Sequence, residues 1–375
     1  MTTLDARPNT IDIDLDALDS NVREIRRRIR PGVAIIASVK ANAYGHGIVP
    51  ISRRLSAAGV EVLATGSFAD AVAVRKAGIT TPVLMMGGAL PAAMPELSRH
   101  DLIPTVHNQE LADAVTANAE RRTQVYVKVD CGFGRLGVPI DEAKRFILDL
   151  ARAPNIEISG LYTHLPFADA TGRDWALRGI AQFDELVAQV AEAGLTIPVT
   201  QARASAALLT GIDDNCTAVS PGALLYGLSP VRSELADRSA LRPVLSRIST
   251  RLIQTSDGGA SGARGVVPFG RVDGHRAPVE GSRAHMLIDG VKAPILSVSL
   301  EHTVLDLSTI PKVAVGDPVV VLGRSGDRAI AIEDIALWQG VGGCGIGGHG
   351  DACIAIRRHV LRLVAHLKTI QRAGR

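Results

Sequence analysis

The stretch Ser38-Val-Lys40-Ala-Asn-Ala-Tyr44-Gly-His-Gly47 is the part of the sequence from which the fold can be worked out. It follows an apolar run at 33–37 and precedes an amphipathic helical pattern at 48–58, so Lys40 stands where a buried strand ends. The carboxyl ends of parallel strands are where α/β proteins place their chemistry. A lysine buried there would have a lowered pKa and would be a good amine nucleophile. The alternative is an ordinary lysine whose charge reaches solvent.

Apolar strand patterns alternate with helical patterns from this stretch onward. The predicted strands are 33–40, 61–67, 82–87, 102–106, 123–130, 156–164, 197–203 and 215–225. Helical patterns separate most of them, at 68–78, 110–121, 141–153 and 176–194. Eight strand–helix alternations predict an α/β fold, a TIM-type (β/α)8 barrel. We expect it to occupy residues 1–235.

A second domain follows. Residues 228–243 carry proline, serine and several charges, which is typical of a linker. After it the helical pattern stops, and short alternating segments are separated by turn pairs such as Asp289-Gly290 and Ser325-Gly326. We therefore expect a mostly β domain at 236–375.

Composition limits the class of partner. Basic and acidic residues number 41 and 38, so the net charge of +3 gives no basis for binding nucleic acid or a membrane surface. The four cysteines are too few and too scattered for a disulfide framework. No apolar run is long enough to span a bilayer, and the N-terminus lacks a signal pattern. We expect a cytoplasmic protein with a small-molecule substrate.

The segment from Val39 through Lys40 and Tyr44 to Gly47 resembles the pyridoxal-phosphate lysine motif of the alanine racemase family. The resemblance implies a fold-type III enzyme that binds pyridoxal 5′-phosphate as an aldimine on Lys40, with Tyr44 near the phosphate. It also implies an amino-acid substrate and a homodimer in which the second domain completes the partner subunit's active site. The family default is a racemase or epimerase acting at Cα.

The segment Val127-Lys128-Val-Asp130-Cys-Gly-Phe-Gly-Arg135-Leu-Gly137 resembles another motif of this family. The resemblance implies that Arg135 lies beside the phenolic oxygen of the cofactor. It implies that Lys128, a position often carbamylated, holds that arginine. The residues alone leave an alternative, in which Lys128 is a strand-end charge paired with Asp130.

Three further segments resemble the cofactor side of the family. Tyr162-Thr-His164 implies that His164 packs on the pyridine ring, although a lone histidine near a strand end is more often an ordinary core residue. Ser205-Ala-Ala and Ser220-Pro-Gly222-Ala223-Leu-Leu-Tyr226 resemble the phosphate-side segments. The cofactor contacts carried over from them are Ser205, Ser220, Gly222, Ala223 and Tyr226. The alternative for these serines and glycines is ordinary turn geometry.

The sequence also departs from the family. Ser220 stands where the family has an arginine facing the pyridine nitrogen, and a serine there makes the cofactor a stronger electron sink. The family's second base is a tyrosine of the second domain, but this chain has no tyrosine after Tyr226. Either the similar position is Arg271 in Gly270-Arg271-Val-Asp-Gly274, or the family's segment is deleted around the short loop at 255–270. Arg271 stays protonated and is suited to binding a carboxylate. Leu300-Glu301 falls where the family contacts the substrate carboxylate.

Three functions remain open on this basis. The first is a racemase with a replacement base, for which the candidates are His275, His285 and His302. The second is a one-base enzyme of a specialised biosynthetic pathway, an aldolase, decarboxylase or dehydratase. Its metal would be held by His349 and Asp351 in a glycine-rich segment, although a chance histidine in a glycine-rich turn is the simpler explanation of that segment. The third is a non-catalytic paralogue that only binds pyridoxal phosphate.

Overall fold

The computed structural model describes residues 8–118, 122–232, 234–237, 239–257, 262–340 and 369–372. These residues form two compact units. One unit contains residues 17–43 and 47–242. The other contains the described residues among 1–16, 44–46 and 243–375. The change from one unit to the other therefore lies at 242–243, seven residues beyond the expected boundary.

Strands and short helices alternate along most of the chain. The strands are β1 (Thr10–Asp14), β2 (Ala34–Ser38), β3 (Val62–Thr65), β4 (Val83–Met85), β5 (Ile103–Val106), β6 (Thr123–Asp130), β7 (Val138–Pro139), β8 (Ile156–Tyr162), β9 (Val199–Ala204), β10 (Ala218–Ser220), β11 (Leu245–Arg251), β12 (Gln254–Ser256), β13 (Arg264–Val267), β14 (His285–Ile288), β15 (Val291–Val298), β16 (Thr303–Asp306), β17 (Pro318–Ser325), β18 (Arg328–Ile330) and β19 (Thr369–Arg372). The helices are α1 (Leu15–Arg27), α2 (Lys40–Tyr44), α3 (Ile48–Ala57), α4 (Phe68–Lys76), α5 (Met94–Arg99), α6 (Gln109–Asn118), α7 (Ile140–Leu150), α8 (Ala170–Glu192), α9 (Ser205–Leu209) and α10 (Ile332–Trp338). Within the described ranges no helix is long and apolar enough to cross a bilayer.

The larger unit is a closed barrel of parallel strands. Its order is β5-β4-β3-β2-β10-β9-β8-β6, and pairing of β5 with β6 closes the ring. This confirms the (β/α)8 barrel predicted from the alternating patterns. Each of the eight predicted strands overlaps one strand of the ring, which means that strand periodicity located the barrel correctly.

Side chains fill the interior of the barrel. The buried cluster inside it consists of Ile36, Val62, Ala64, Leu84, Tyr126, Tyr162 and Ala218. The Tyr162 hydroxyl is satisfied there, because it shares a 2.9 Å hydrogen bond with the Thr105 hydroxyl. The Tyr126 ring occupies the space beside Gly160, where an added Cβ would lie 2.5 Å from it. Burial raises the pKa of Tyr126 to about 12, so this phenol is neutral at physiological pH.

One buried amide joins the first helix to the end of the barrel. The apolar face of α1 is fully buried, and Asn21 within that face is 0% exposed. Its side-chain nitrogen donates to the carbonyls of Leu225 (3.0 Å) and Arg242 (2.8 Å). Its oxygen accepts the Arg242 N–H at 2.8 Å. Both the nitrogen and the oxygen of this buried side-chain amide therefore have hydrogen-bond partners.

The second unit is an antiparallel sheet with the order β12-β13-β16-β15-β14-β17-β11-β1-β19, and β18 pairs with β17. The mostly β character of this domain is as expected. The position of β1 differs from the expectation that residues 1–235 form the barrel, because β1 pairs antiparallel with β11. The reason lies in its pattern, since Ile11 and Ile13 are buried while the aspartates that follow each of them, Asp12 and Asp14, are partly exposed. Such alternation suits a sheet with one solvated face rather than a barrel strand covered on both faces.

We predict that Gly160→Ala destabilises the barrel by ~1–3 kcal/mol, because the new methyl group would overlap the Tyr126 ring. The midpoint of urea unfolding measures this change. In a Tyr126→Leu background the same substitution should cost much less, because the ring that fills the space has gone. An equal cost in both backgrounds would contradict this packing.

Candidate functional site

The residues singled out in the first domain lie at one rim of the barrel. The carboxyl ends of parallel strands meet there, which is where barrel enzymes form their active sites. The polar residues that follow or end these strands are Lys40, His107, Asp130, His164, Ser205 and Ser220. The structure therefore brings the predicted barrel residues together, although they are separated by up to 180 positions in the sequence.

Lys40 is exposed at this rim. The expectation that burial would activate it is therefore wrong, since a lysine directly after the strand can reach solvent. The four residues after it, 41–44, all have positive φ, between 52° and 55°. This left-handed turn is costly for L-residues, about 1–2 kcal/mol each. Such strain persists only where surrounding contacts impose it, and functional sites are a common place for it.

Two side-chain contacts stabilise the left-handed turn. The Asp70 carboxylate accepts the Asn42 N–H at 2.9 Å. The Asn42 side-chain oxygen in turn accepts the Ile48 N–H at 2.7 Å, at the start of α3. These bonds fix the backbone on the carboxyl side of Lys40. Tyr44, at the end of the turn, is 8% exposed.

The strand before Lys40 is tied to the last strand of the barrel. The Tyr226 hydroxyl donates to the Ser38 carbonyl at 3.2 Å, and the Ser38 N–H donates to the Pro221 carbonyl at 3.0 Å. Tyr226 is only 1% exposed. This tyrosine therefore positions the strand that carries Lys40, and its predicted contact with a cofactor stays a prediction.

The predicted phosphate side is built from short side chains and backbone N–H groups. The Ser205 hydroxyl accepts the Gly222 N–H at 2.8 Å, which joins the start of α9 to the turn that begins at Ala223. Ser205 is 6% exposed and Ser220 is 9% exposed, and both stand at the ends of neighbouring strands. Small uncharged residues with helical N–H groups behind them fit an anion such as a phosphate.

The Asp130 carboxylate organises the loop after β6. It accepts the backbone N–H groups of Gly132 (3.1 Å), Phe133 (2.7 Å) and Gly134 (2.8 Å). Among the described residues Lys128 forms no ion pair with it. The alternative of a Lys128–Asp130 pair is therefore not what the structure has.

Lys128 is buried, with 5% of its surface exposed. Its Nζ lies 5.2 Å from the centre of the Tyr162 ring. Burial, followed by the nearby Arg135 guanidinium, lowers the pKa of Lys128 to about 8, although the charge of Asp130 opposes the shift. The two lysines of the rim therefore have different environments. Lys128 is buried and has a lowered pKa, whereas Lys40 is exposed.

Arg135 and His164 meet at a common neighbour, Phe133. The Arg135 guanidinium carbon lies 4.7 Å from the centre of the Phe133 ring. The His164 ring meets Phe133 edge-on, with 5.8 Å between centroids and 84° between planes. Two side chains predicted to contact the cofactor are therefore linked through an aromatic ring that the sequence analysis did not single out.

His107 is a second rim residue that the sequence analysis missed. It follows β5 directly, as His164 follows β8 closely, so the criterion applied to His164 was available for it. Burial lowers the pKa of His107, and the Lys128 charge lowers it further. A backbone hydrogen bond opposes this shift, and the net direction favours the neutral imidazole.

In the second unit, Arg271 is exposed on the tight turn Arg271–Asp273. The Arg271 N–H donates to the Ser299 carbonyl at 3.1 Å, and the Val272 N–H donates to the Leu300 carbonyl at 2.9 Å. Only glycine fits at 270, because an added Cβ would lie 2.7 Å from the Leu300 carbonyl oxygen. The structure thus brings the two predicted substrate-side segments, 270–274 and 300–301, into direct contact.

The three histidines considered as replacement bases have different environments. His275 is 4% exposed and packs against Phe269, with 5.4 Å between ring centroids. His285 packs against Trp338 at 4.7 Å, and burial lowers its pKa. His302 is exposed. Accessibility to a small substrate therefore favours His302 among the three.

The proposed metal ligands His349 and Asp351 lie outside the described residues. Over the ranges that are described, no group of three or more His, Cys, Asp or Glu side chains is arranged to hold a metal ion.

Comparison with known proteins follows the two-domain division. Residues 13–230 match the family model described as alanine racemase, N-terminal domain, and residues 259–345 match that described as alanine racemase, C-terminal domain. The likeness therefore continues beyond the linker into the second domain.

Individual relatives agree with the family models. The chain is 32% identical to an alanine racemase of Halothermothrix orenii, over 88% of this chain and 91% of that one. A solved alanine racemase from Streptomyces coelicolor has a TM-score of 0.80 at 28% identity, over 97% of this chain and 98% of that chain. An alanine racemase of Clostridium difficile in complex with cycloserine has a TM-score of 0.85 at 24% identity, over 98% and 96%. At that identity the last comparison shows a shared fold alone.

We predict that Lys128 forms a carbamate with carbon dioxide. With a pKa of about 8, about a tenth of its side chains are neutral at pH 7, and only the neutral amine can attack carbon dioxide. Carbon-13 NMR in labelled bicarbonate should show a carbamate signal at pH 8 that weakens toward pH 6, because the amine becomes protonated below its pKa. Lys128→Met should remove the signal, whereas Lys144→Met, at an exposed helical position, should retain it. A spectrum without this signal at either pH would show that Lys128 stays a free amine.

Proposed function

Since this chain belongs to the alanine racemase family, whose enzymes use pyridoxal 5′-phosphate, we propose that it is an amino-acid racemase with its cofactor on Lys40. The observation that carries the proposal is the position of Lys40. It is an exposed amine on a rigid left-handed turn, at the rim where the other predicted cofactor residues end their strands. An amine that bonds covalently to an aldehyde must be accessible, and this one is.

The residues present fit the cofactor. We propose that Tyr44, Ser205, Gly222 and Ala223 hold its phosphate. The bond from the Gly222 N–H to Ser205 supports this, because it gathers small polar groups at one point of the rim. When bound, pyridoxal phosphate supplies an electron sink for the charge left at the substrate Cα after its proton is removed.

The ring side of the cofactor is assigned to three other residues. We propose that His164 packs on the ring and that Arg135 lies beside its phenolic oxygen. Ser220 would face the ring nitrogen with a neutral hydroxyl. Contact of both Arg135 and His164 with Phe133 supports a common role for the first two.

In this mechanism Lys40 moves the proton on one face of the substrate. Its Nζ removes the proton from Cα, or returns it, on the face that the rim presents. A racemase needs a second acid or base on the opposite face, and the chain has no tyrosine after Tyr226 to fill that role. We propose that Arg271 binds the substrate carboxylate instead, because a guanidinium stays protonated and pairs well with a carboxylate.

The proposed enzyme is a homodimer, in which the second domain completes the active site of the partner subunit. The family likeness of both domains supports this assembly. We also propose a cytoplasmic location, which suits the free thiols of Cys131 and Cys216.

A second candidate function follows from the same missing tyrosine. With Lys40 as the only base, the enzyme would break or form a bond at Cα from one face, as an aldolase or decarboxylase does. The exposed Arg271 in place of a tyrosine favours this reading, because it offers charge without proton transfer. A non-catalytic paralogue is disfavoured, because a protein that only binds the cofactor has no need of a buried Lys128 amine with a lowered pKa beside Arg135.

We predict that borohydride reduction after incubation with pyridoxal phosphate labels Lys40, because reduction fixes the cofactor to the lysine that carries it. Mass spectrometry of the digested protein identifies the labelled peptide. Lys40→Ala should lose this label, while Lys144→Ala should keep it. Equal labelling of several exposed lysines, with no preference for Lys40, would refute the assignment.

We predict that L- and D-amino acids exchange their α-proton in deuterated buffer with loss of chirality. Proton NMR and chiral chromatography measure exchange and chirality separately on the same sample. Exchange with chirality retained would favour the one-base candidate, because Lys40 reaches only one face. Lys40→Ala is the control and should show no exchange in either case.

A further inference from the structure

Phe133 is the residue that links the ring-side groups of the barrel rim. It contacts Arg135 through its ring face at 4.7 Å and His164 through a perpendicular arrangement at 5.8 Å. Trp175, on α8, lies 6.3 Å from it at 48°. These four side chains form a continuous group, which we call the Phe133 cluster.

The position of the Phe133 ring is set by its backbone. Its N–H donates to the Asp130 carboxylate at 2.7 Å, and both flanking glycines donate to the same carboxylate. Gly132 and Gly134 have φ values of 100° and 70°, which residues with a side chain rarely adopt. A Cβ at Gly132 would also lie 3.7 Å from the Trp175 indole nitrogen. These bonds and the two positive φ values fix the backbone from which the Phe133 side chain extends.

Stacking on that ring is one contact that orients Arg135, beside the hold predicted for Lys128. Arg135 is exposed, and within the described part of the chain no carboxylate pairs with it. A long side chain without such a partner has several rotamers of similar energy. Stacking of the guanidinium on an aromatic face selects among them, because the planar cation is attracted to the ring.

We propose that Phe133 is a positioning residue, which sets the spacing and orientation of Arg135 and His164 toward the cofactor. This inference rests on the proposed function, because it concerns the side of the site assigned to the cofactor ring. It requires an aromatic face and not only volume at position 133. A leucine would fill much of the space but would not orient either neighbour.

The test compares three variants of the full-length protein. Phe133→Leu removes the ring, and Phe133→Tyr keeps it. Phe68→Leu is the matched control, because Phe68 is 40% exposed and Phe133 is 37% exposed. Phe68 also meets a histidine, His100, edge-on at 5.6 Å and 69°, and neither of these residues is assigned to the cofactor.

The measurements are the dissociation constant for pyridoxal phosphate, the absorbance spectrum of the bound cofactor and the midpoint of urea unfolding. We expect Phe133→Leu to weaken cofactor binding by about 5–10-fold and to change the spectrum, since two contacts with the ring are lost. Phe133→Tyr should stay within about 2-fold of wild type, because it keeps the aromatic ring and both of its contacts. Phe68→Leu should shift the unfolding midpoint as much as Phe133→Leu does, with binding and spectrum unchanged.

Two outcomes would overturn the inference alone. One is a Phe133→Leu protein that binds the cofactor with unchanged affinity and spectrum. The other is a Phe133→Tyr protein as impaired as Phe133→Leu, which would reduce the role of the residue to packing volume. A wild-type protein that takes up no cofactor on Lys40 would overturn the proposed function and this inference together, so the two failures can be told apart.

Discussion

Closure of the parallel barrel is the constraint on which the site depends. The ring is completed where β5 pairs with β6, through Thr105 with Tyr126 and Val106 with Val127. Once the ring is closed, every strand must end at the same rim, and the residues after those ends become neighbours whatever their separation in sequence. The packed interior supports this arrangement, because the Tyr126 ring fits only where Gly160 leaves room for it. A barrel filled by side chains is rigid enough to hold reactive groups in fixed relative positions.

Loop backbones at the rim are fixed by carboxylates in two places. Asp70 accepts an N–H of the left-handed turn after Lys40, and Asp130 accepts three N–H groups of the loop after β6. In both places an acidic side chain that could have been a catalytic group serves the backbone instead. The result is that Lys40 and Phe133 are both presented by loops with little conformational freedom. Preorganisation of this kind lowers the entropy lost when a ligand binds.

The two lysines of the rim differ in burial. Lys40 is exposed and can reach an aldehyde, while Lys128 is buried and has a pKa lowered to about 8. The same side chain therefore stands in two different environments, which suit two kinds of chemistry. The turn at 270–274 of the second unit presents an exposed arginine, Arg271, and the chain has no tyrosine after Tyr226. Whether the enzyme acts on one face of its substrate or on both is decided by what stands opposite Lys40.

The sequence by itself determined the alternation of strands and helices, the position of each barrel strand and the motif around Lys40. These are local properties, because periodicity and glycine-rich turns are patterns of residues that lie close together in the sequence. It also determined that no tyrosine follows Tyr226. Only the tertiary structure decided that β1 joins the antiparallel sheet, that Lys40 is exposed and Lys128 buried, and that Phe133 contacts both Arg135 and His164. Each of these depends on which distant segments pack together, and burial and pairing are properties of the assembled chain that no short stretch of sequence contains.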